Sequence, residues 1–423
     1  MPSLKVTLLS FNAANHFSLA NGFLKAYAEK DGWLRKRVHI DLLDFSVESN
    51  DARQALFYLS KTRPHILGLS CYCWNVEVSL EVARFYKTIV PESIIVLGGP
   101  EVAPIAEDYL RQHEAVDIIV RGEGEATFQE LLKELVRGRQ LSAKIKGISY
   151  RQGTTIVNTP ERPPIPNLGE IPSPYLTGVL TPREGVTYVE TSRGCPFHCA
   201  YCYEGKNFPK VRFYPEKRIQ KEIELISNTP GITSFHLVDS VFNLKKDRLR
   251  RLAQLISEAN QSGARLLTVE IIAENVDEET VSLLRQANVA SVETGPQTVH
   301  HDTLLLMQRQ YQPEKFARAI KLLQDSGIQV LCDLIVGLPG DNFFRVVRSI
   351  RSVMAMQPAR LIFSALHVLP GTELYHNAPL YGLRFDQRAP HLVIDTDSFP
   401  FEEIDRAVLM STSVAREYNL KID

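Results

Sequence analysis

Short apolar runs alternate with amphipathic stretches along both halves of this 423-residue chain. In the first half the apolar runs lie at residues 5–11, 38–45, 65–70, 93–97 and 117–120. Continuous apolar strands separated by helices are typical of a parallel sheet covered on both faces. The sequence therefore predicts an α/β fold that begins with a doubly wound, Rossmann-like parallel sheet over residues 1–140.

A proline-rich segment separates the two halves. Residues 146–158 read as a short hairpin, and seven prolines follow between residues 159 and 182. Proline at that density prevents regular structure, so we assign residues 141–183 to a hairpin and an extended linker.

The second half repeats the strand–helix alternation. Six strand candidates follow one another at residues 186–190, 234–238, 266–272, 290–293, 329–336 and 361–367. Six strands with intervening helices predict a partial (β/α)6 barrel over residues 184–385, since a full eightfold barrel takes about 250 residues. Residues 386–423 are expected to form a short helical tail.

Composition excludes several classes of protein. The chain carries 48 Lys and Arg against 49 Asp and Glu, so no global basic excess indicates a nucleic-acid partner. No apolar run approaches the roughly 20 residues of a membrane span, and the first residues are too polar for a signal peptide. We expect a cytoplasmic protein, in which a tight cysteine group is metal-binding or redox-active.

Three of the six cysteines form the strongest motif. Cys195, Cys199 and Cys202 have the spacing C-x3-C-x2-C in the loop after the first strand of the second half. A barrel carries its catalytic groups on such loops. Three thiolates can hold a 4Fe–4S cluster and leave one iron open. The alternatives are a zinc site with His198 as fourth ligand, or a structural disulfide.

This motif, with the aromatic Tyr201 before its last cysteine, resembles the signature of the radical S-adenosylmethionine (SAM) superfamily. The segments VLGGPE, RGEGE, SRGCPFHCAYC, HLVDSVFN, SVETGPQT, DLIVGLPGD and HVLPGTELY resemble its cobalamin-associated branch in order and content. The resemblance implies three cofactors, which are a 4Fe–4S cluster on the three cysteines, SAM on the open iron, and cobalamin on the N-terminal domain. One-electron reduction would then cleave SAM to a 5′-deoxyadenosyl radical.

The resemblance also implies a set of SAM contacts at the ends of the barrel strands. Two tyrosines would pack beside adenine, an acid and a serine would meet the methionine amino group, a glutamate the ribose, and an arginine the carboxylate. In chain order the implied residues are Tyr201, Tyr203, Asp239, Ser240, Glu293, Gln297, Arg309, Gly337, Pro370 and Gly371. Structural alternatives are a helix N-cap for Asp239, a salt bridge for Glu293 and a solvated helix position for Arg309.

Cobalamin is expected to bind without a histidine ligand from the chain. Many cobalamin domains supply one from an Asp-x-His-x-x-Gly loop, but here Ala14 and Leu19 replace the aspartate and the glycine around His16. The turns after the first, third, fourth and fifth strands would hold the cofactor through Asn12, Ser70, Cys71, Gly98, Gly99, Pro100, Gly122 and Glu123. The alternative is that these are tight turns of a sheet that has lost the ligand.

The resemblance implies a methyltransferase that moves a methyl group from methylcobalamin to an unactivated carbon of a small-molecule biosynthetic intermediate. A ring rearrangement or cyclisation without methyl transfer is the alternative. A methylthiotransferase or a sensing module fits less well, because no second cysteine cluster and no output domain is evident. The expected partners are a small-molecule substrate and an external one-electron reductant such as flavodoxin or ferredoxin. The sequence does not identify catalytic residues beyond the cofactor contacts, or roles for Cys73 and Cys332.

Overall fold

The computed structural model describes residues 3–48, 51–138, 141 and 144–420. The chain divides into two units, Met1–Thr181 and Pro182–Asp423, and each is described by itself. None of the described helices is both long and apolar enough to cross a membrane.

The first unit is a seven-stranded sheet with helices along its chain connections. Its strands are β1 Leu4–Asn12, β2 Val38–Ser46, β3 Ile66–Ser70, β4 Ile94–Gly98, β5 Ile118–Val120, β6 Ile148–Gln152 and β7 Thr155–Asn158. Its helices are α1 Leu19–Glu29, α2 Gly32–Arg35, α3 Asp51–Thr62, α4 Val76–Ile89, α5 Ala106–Gln112 and α6 Gly124–Val136, with a 3₁₀ turn at Leu168–Glu170.

The strand order is β2-β1-β3-β4-β5-β6-β7, and the first five strands are parallel. This order confirms the predicted doubly wound sheet. β1 has β2 on one side and β3 on the other, so the topological switch point lies at the carboxyl end of β1. Val6, Ile66 and Ile95 on three neighbouring strands are fully buried, as a sheet covered on both faces requires.

The hairpin extends this sheet. β6 pairs antiparallel with β5 through Ile118 and Tyr150, and β7 pairs with β6. The proline-rich segment that follows packs on the same unit, since Ile165, Leu168 and Ile171 are buried. The structure thus joins the hairpin and most of the proline-rich segment to the first unit, whereas the sequence suggests a separate linker.

The second unit carries ten strands in chain order. They are β8 Tyr188–Val189, β9 Ser192–Arg193, β10 Arg212–Phe213, β11 Ser234–Leu237, β12 Arg265–Glu270, β13 Val289–Gln297, β14 Gln329–Val336, β15 Arg360–Ala365, β16 Arg384–Phe385 and β17 Val393–Asp395. The helices are α7 Tyr203–Asn207, α8 Glu216–Ser227, α9 Lys246–Ala259, α10 Glu278–Gln286, α11 His301–Leu306, α12 Pro313–Asp325, α13 Phe343–Met354, α14 Glu373–His376 and α15 Phe401–Asn419, with 3₁₀ turns at Ala273–Asn275 and Ala378–Tyr381.

Six of these strands form one parallel sheet in the order β15-β14-β13-β12-β11-β8, with β8 and β15 at its edges. This is the predicted partial (β/α)6 barrel. The last helix, α15, packs along β15, where the Asn419 side chain accepts from the Leu361 backbone N–H at 3.0 Å and donates to the Leu361 carbonyl at 3.1 Å. All six strands run the same way, so their carboxyl ends share one edge, on which the cysteine loop follows β8 and β9.

Candidate functional site: the cysteine loop and the ends of the parallel strands

The cysteine loop connects β9 to α7 and is closed by its own backbone. The Cys195 N–H donates to the Phe208 carbonyl at 3.0 Å, and the Cys202 N–H donates to the Cys199 carbonyl at 3.0 Å. β9 pairs antiparallel with β10, so the chain returns beside its own entry point after the loop. These contacts hold the three cysteines on one short, folded segment.

Two glycines allow the loop to close. Gly194 has φ +97°, and a Cβ there would lie 2.6 Å from the Phe208 carbonyl oxygen. A Cβ on Gly205 would lie 1.6 Å from the carbonyl oxygen of Phe197. Because both obstacles are backbone atoms, no side-chain movement could make room for a larger residue.

The far side of the barrel sheet also anchors the loop. Ala200 donates its N–H to the Met307 carbonyl at 2.9 Å and accepts from the Leu374 N–H at 3.0 Å. Asn207 reaches the Gly371 carbonyl at 3.4 Å, so the predicted turn at Pro370 and Gly371 does lie beside the loop. The loop is therefore fixed by segments that follow β13 and β15.

The three thiols lie near one another. Burial, together with the charges of the neighbouring Cys202 and Cys199, raises the pKa of Cys195 to about 11. Burial likewise raises the pKa of Cys202, with Cys199 contributing. All six cysteines of the chain are free thiols, so the disulfide alternative finds no support.

This donor set fits a 4Fe–4S cluster. Thiolates are the ligands such clusters take, and three of them leave one iron for another ligand. Among the described residues, no group of three or more His, Cys, Asp or Glu side chains surrounds a single ion position. The two observations agree, because each cysteine of a cluster binds a different iron and the sulfurs need not converge on one point.

Arg309 lies beside the loop rather than in solvent. Its guanidinium is 3.8 Å from the Cys199 sulfur, and it donates to the Tyr201 hydroxyl at 3.2 Å and to the Gly295 carbonyl at 2.6 Å. Its Nε is buried and has no partner among the described residues. A cation with one spare donor at this place could receive a carboxylate.

Gly295 owes its position to an irregularity in β13. The pairing of β13 with β14 shifts between Thr294 and Gln297. At Gly295 the two strands approach so closely that a Cβ would lie 2.3 Å from the Asp333 carbonyl oxygen. This bulge presents the Gly295 carbonyl to Arg309, and it leaves Gln297 with φ +66° at the end of the strand.

Three carboxylates share one side of the barrel sheet. Glu270 and Glu293 are register partners on β12 and β13, and Asp333 on β14 has the same parity and hydrogen-bonds Glu293. Desolvation of the carboxyl, and then the charge of Glu293, raise the pKa of Glu270 to about 7, although the residue as a whole is exposed. Burial and the same glutamate raise the pKa of Asp333. Sequence reasoning found only Glu293, because the other two depend on strand register.

These raised pKa values predict how stability depends on pH. Between the ordinary carboxyl pKa of about 4 and the raised values, the folded chain binds more protons than the unfolded chain, so the free energy of unfolding falls as pH rises. Asp333→Asn removes one such group and should raise the free energy of unfolding by about 1–2 kcal/mol at pH 8.5, with little gain at pH 4. Urea unfolding of the cofactor-free chain at both pH values measures the difference.

The matched control is Asp325→Asn, at an exposed carboxylate that pairs with Lys321 at 3.0 Å. It should change the free energy of unfolding by less than about 0.5 kcal/mol at either pH. An Asp333→Asn variant that is destabilised equally at both pH values would contradict the expectation.

Asp239 lies under the β8–β9 connection and is only 4% exposed. One carboxylate oxygen accepts from the Thr191 N–H at 2.7 Å and from the Ser192 N–H at 3.0 Å, and the other accepts from the Thr191 hydroxyl. Buried Arg248 donates to the Thr191 carbonyl at 2.9 Å. Asp239 is thus not a helix N-cap. Its contact with SAM stays a prediction, and the amino group would have to share an oxygen already bonded to the chain.

Removing this carboxylate should loosen the strand that leads into the cysteine loop. Asp239→Ala leaves two buried N–H groups without an acceptor and removes a carboxylate whose charge stabilises buried Arg248, so we expect a loss of about 3 kcal/mol in the free energy of unfolding. Asp247→Ala is the control, since that side chain is 81% exposed. Chemical denaturation measures the free energy of unfolding of both variants. An equal loss in the two variants would refute a stabilising role for the Asp239 carboxylate.

Most of the remaining predicted SAM residues lie at or just after the carboxyl ends of strands, whereas Tyr203 lies in a helix. Ser240 follows Asp239 after β11, Tyr203 begins α7, and Gly337 follows β14 with φ +99°. Arg309 contacts the cysteine loop at Cys199 and at Tyr201, which is part of the loop, and the Gly371 carbonyl accepts from Asn207 in α7, which follows the loop. Their contacts with SAM stay predictions.

In the first unit the predicted turns meet at the switch point. Cys71 donates its N–H to the Gly98 carbonyl at 2.7 Å, and Gly99, with φ +120°, lies so close that a Cβ would be 2.3 Å from the Cys71 carbonyl oxygen. Asn75, which sequence reasoning missed, donates to the carbonyls of Phe11 at 2.9 Å and Ser70 at 3.1 Å. The ends of β1, β3 and β4 are therefore fixed to one another.

The outer turns bound an open space. Gly122 has φ +71° and no atom within 4 Å of the place where a Cβ would stand. Glu123 accepts from the Ile165 N–H at 2.8 Å, and Asn12 donates to Asp44 at 3.2 Å, so both side chains are engaged within the unit. The His16 ring contacts the Ala14 carbonyl at 2.9 Å, as expected of a polar loop residue.

These turns fit a large planar cofactor better than a small ion. Backbone without side chains stands at Gly98, Gly99 and Gly122 along the carboxyl edge of a doubly wound sheet, where such folds bind nucleotides and related ligands. Beside them Tyr72 and Trp74 stack at 4.4 Å, and Trp74 is 56% exposed. The contacts of each predicted cobalamin residue stay predictions.

Comparison with known families assigns both units. The profile of the Radical SAM superfamily matches residues 189–353, and that of the B12 binding domain matches residues 14–132. This chain belongs to the radical SAM enzymes that carry a cobalamin-binding domain. The two families define its cofactors as a 4Fe–4S cluster, SAM and cobalamin.

Two relatives are methyltransferases. The chain is 30% identical to the 2-(S-pantetheinyl)-carbapenam-3-carboxylate methyltransferase of Streptantibioticus cattleyicolor over 352 residues, which cover 79% of this chain and 51% of that protein. It is 27% identical to the cobalamin-dependent radical SAM methyltransferase TokK of Streptomyces tokunonensis, over 90% of this chain and 58% of that protein. The chain thus spans between half and three fifths of the length of these two relatives.

Solved structures share the fold. The methyltransferase TsrM from Kitasatospora setae, with cobalamin and a [4Fe-4S] cluster bound, matches with a TM-score of 0.74 at 20% identity, over 96% of this chain and 81% of that one. OxsB, with aqua-cobalamin and SAM bound, matches with a TM-score of 0.77 at 14% identity, over 97% of this chain and 66% of that one.

Proposed function

We propose that this protein is a cobalamin-dependent radical SAM methyltransferase that methylates an unactivated carbon of a small-molecule biosynthetic intermediate. The observation that carries the proposal is the folded loop with three neighbouring free thiols, in a chain that belongs to the radical SAM family. The two methyltransferase relatives support methyl transfer as its outcome.

The chain's own residues would bind and orient the cofactors. Cys195, Cys199 and Cys202 hold the cluster, and the anchored backbone of the loop keeps them in place before the metal binds. When bound, the cluster supplies the electron that cleaves SAM, and cobalamin supplies the methyl group. Arg309, which lies beside the cysteine loop, would receive the SAM carboxylate through its spare Nε–H, and Glu293 on β13 would accept from the ribose hydroxyls, because each has the matching charge or acceptor.

Around cobalamin the chain would supply backbone and polar side chains at the carboxyl edge of the sheet rather than a ligand to the metal. The glycine turns after β4 and β5 let the backbone approach the corrin, and Ser70 and Asn12 offer polar side chains. Cys71 is fully buried, so it would act through its backbone. We propose, as the sequence suggests, that cobalt takes no histidine ligand from the loop at residues 14–19.

Product analysis after anaerobic reconstitution tests the proposal. The holoenzyme is incubated with SAM and a reductant, and the nucleoside products are identified by mass spectrometry. Formation of 5′-deoxyadenosine together with S-adenosylhomocysteine supports methyl transfer. Formation of neither product by a protein that carries its full complement of iron and corrinoid would overturn it.

A ring rearrangement or cyclisation is the second candidate. It is favoured by the anaerobic magnesium-protoporphyrin IX monomethyl ester cyclase of Rubrivivax gelatinosus, which is 25% identical over 74% of this chain and 58% of that protein. In that case 5′-deoxyadenosine forms without S-adenosylhomocysteine.

The electron source would be an external one-electron carrier of the flavodoxin or ferredoxin class. We also propose a cytoplasmic location, which six free thiols suit, since a reducing compartment preserves them.

A further inference from the structure

Lysine and arginine are concentrated in two segments beside the cysteine loop. Residues 206–221 contain six of them against one acidic residue, and residues 245–251 contain five against one. The whole chain has a net charge of −1, so this excess of nine positive charges belongs to the two segments and the remainder is acidic. We call these two segments the basic surface.

The two segments adjoin in space. α8 packs against α9, and the Arg251 guanidinium pairs with Glu216 at 2.8 Å. The Arg248 guanidinium lies 4.1 Å from the centre of the Phe213 ring, and the Lys245 ammonium lies 5.9 Å from it. A cavity of about 520 Å³ opens between them, lined by Phe213, Lys245, Lys246, Asp247, Arg248 and Arg251.

Part of this positive charge is free for a partner. At least five of these cations are neutralised within the unit. The pairs are Lys206 with Glu373, Arg218 with Glu222, Lys246 with Asp277, Arg250 with Glu279 and Arg251 with Glu216. Four other lysines form no ion pair with any residue that the structure describes, and all four are exposed: Lys210, Lys217, Lys221 and Lys245. These four exposed, solvated ammonium groups are therefore available to a partner.

The basic surface begins at the cysteine loop. Phe213 on β10 is the register partner of Ser192 on β9, and Ser192 precedes Cys195 by three residues. Three residues span at most about 11 Å of extended chain. On the return side, the Phe208 carbonyl accepts from the Cys195 N–H at 3.0 Å. A protein that docks here would stand within a short distance of the thiols.

We propose that the basic surface is the docking site for an acidic one-electron carrier protein of the flavodoxin or ferredoxin class. The proposal rests on the proposed function, because only a cluster on the cysteine loop gives the carrier an acceptor. The carrier loses one electron, the cluster gains it, and no bond forms or breaks at the interface. Opposite charges steer such encounters and fix their orientation, and the exposed lysines can follow the carboxylates of the carrier.

A nucleic acid is the other macromolecule that such a surface could attract. The adjacency to the cysteine loop favours the carrier, since electron transfer requires proximity and nucleic-acid binding does not. The two ligands respond differently in the experiment below.

The test compares two charge-reversal variants with the same change in net charge. Lys210→Glu with Lys245→Glu alters the basic surface, and Lys36→Glu with Lys315→Glu alters exposed lysines elsewhere. Binding of oxidised flavodoxin is measured by titration at low and high salt. The first variant should bind flavodoxin at least about tenfold more weakly than the wild type at low salt. This difference in affinity should shrink at about 0.5 M salt, where screening is strong.

The second readout is 5′-deoxyadenosine formation by the holoenzyme. With reduced flavodoxin the first variant should be about tenfold slower than the wild type, whereas with dithionite, which needs no docking site, the two should be equal. Equal effects of the two charge reversals would overturn the proposal. So would retained flavodoxin binding combined with loss of binding to a single-stranded RNA probe.

Failure of the proposed function is distinguishable from failure of the docking site. A wild-type protein that cleaves no SAM even with dithionite refutes the function, while the flavodoxin titration still decides where the carrier binds. Thermal unfolding of both variants verifies that they fold, which is expected because the substituted lysines are exposed.

Discussion

Simultaneous replacement of Cys195, Cys199 and Cys202 by alanine is expected to abolish iron binding and SAM cleavage while corrinoid binding is largely retained. The thiols are the ligands of the proposed cluster, and the backbone of their loop is anchored independently of the side chains. The cobalamin turns belong to the other unit of the chain. Iron and sulfide analysis, the corrinoid absorption spectrum and 5′-deoxyadenosine formation measure the three quantities.

Cys332→Ala is the matched control, since Cys332 is a fully buried thiol on β14. It should keep iron, corrinoid and SAM cleavage near the wild-type values, with only a modest loss of stability from the small cavity. Retention of a full complement of iron by the triple variant would refute the assignment of the cluster ligands.

The second large effect, a loss of stability and of iron binding, is expected when one methyl group is added at Gly205. Gly205→Ala places a Cβ 1.6 Å from the Phe197 carbonyl oxygen, which is a backbone atom and cannot turn aside. The cysteine loop must therefore open, at a cost of about 3 kcal/mol or more in the free energy of unfolding. Iron content after reconstitution should fall to less than about a tenth of the wild-type value, because a tenfold loss needs only about 1.4 kcal/mol.

Gly32→Ala serves as its control. Gly32 is the first residue of α2, and nothing lies within 4 Å of the Cβ position. Alanine there should leave iron binding unchanged and should stabilise the chain slightly, by up to about 1 kcal/mol. Normal iron content in Gly205→Ala would show that the loop closes differently from the structure.

The strands of the two parallel sheets could be predicted because each is a local apolar run, whereas the two-stranded pairs β9–β10 and β16–β17 were not predicted. The run at residues 329–336, for example, was bounded correctly, since an apolar stretch between a helix pattern and a glycine leaves little choice. β13 was predicted to end at Glu293 but runs to Gln297. The bulge at Thr294–Gln297 arises from the close approach of Asp333, and a sequence does not reveal such a contact between strands.

The candidate site, like the fold, could be predicted only where its residues lie close together in the sequence. The cysteine motif was found because its three residues lie within eight positions of one another. The contacts of Arg309 with Gly295, of Asp239 with Thr191, and of Asp333 with Glu293 join residues on different elements. Only strand order and register bring such pairs together, so no local pattern could indicate them.

The double anchorage of Ala200 bears on the engineering of this protein. Its N–H and its carbonyl bond to segments that follow two different strands of the barrel, at Met307 and Leu374. A library that randomises the residues around Leu374 would therefore also act on the cysteine loop. Loss of turnover in such a library would first have to be separated from loss of iron.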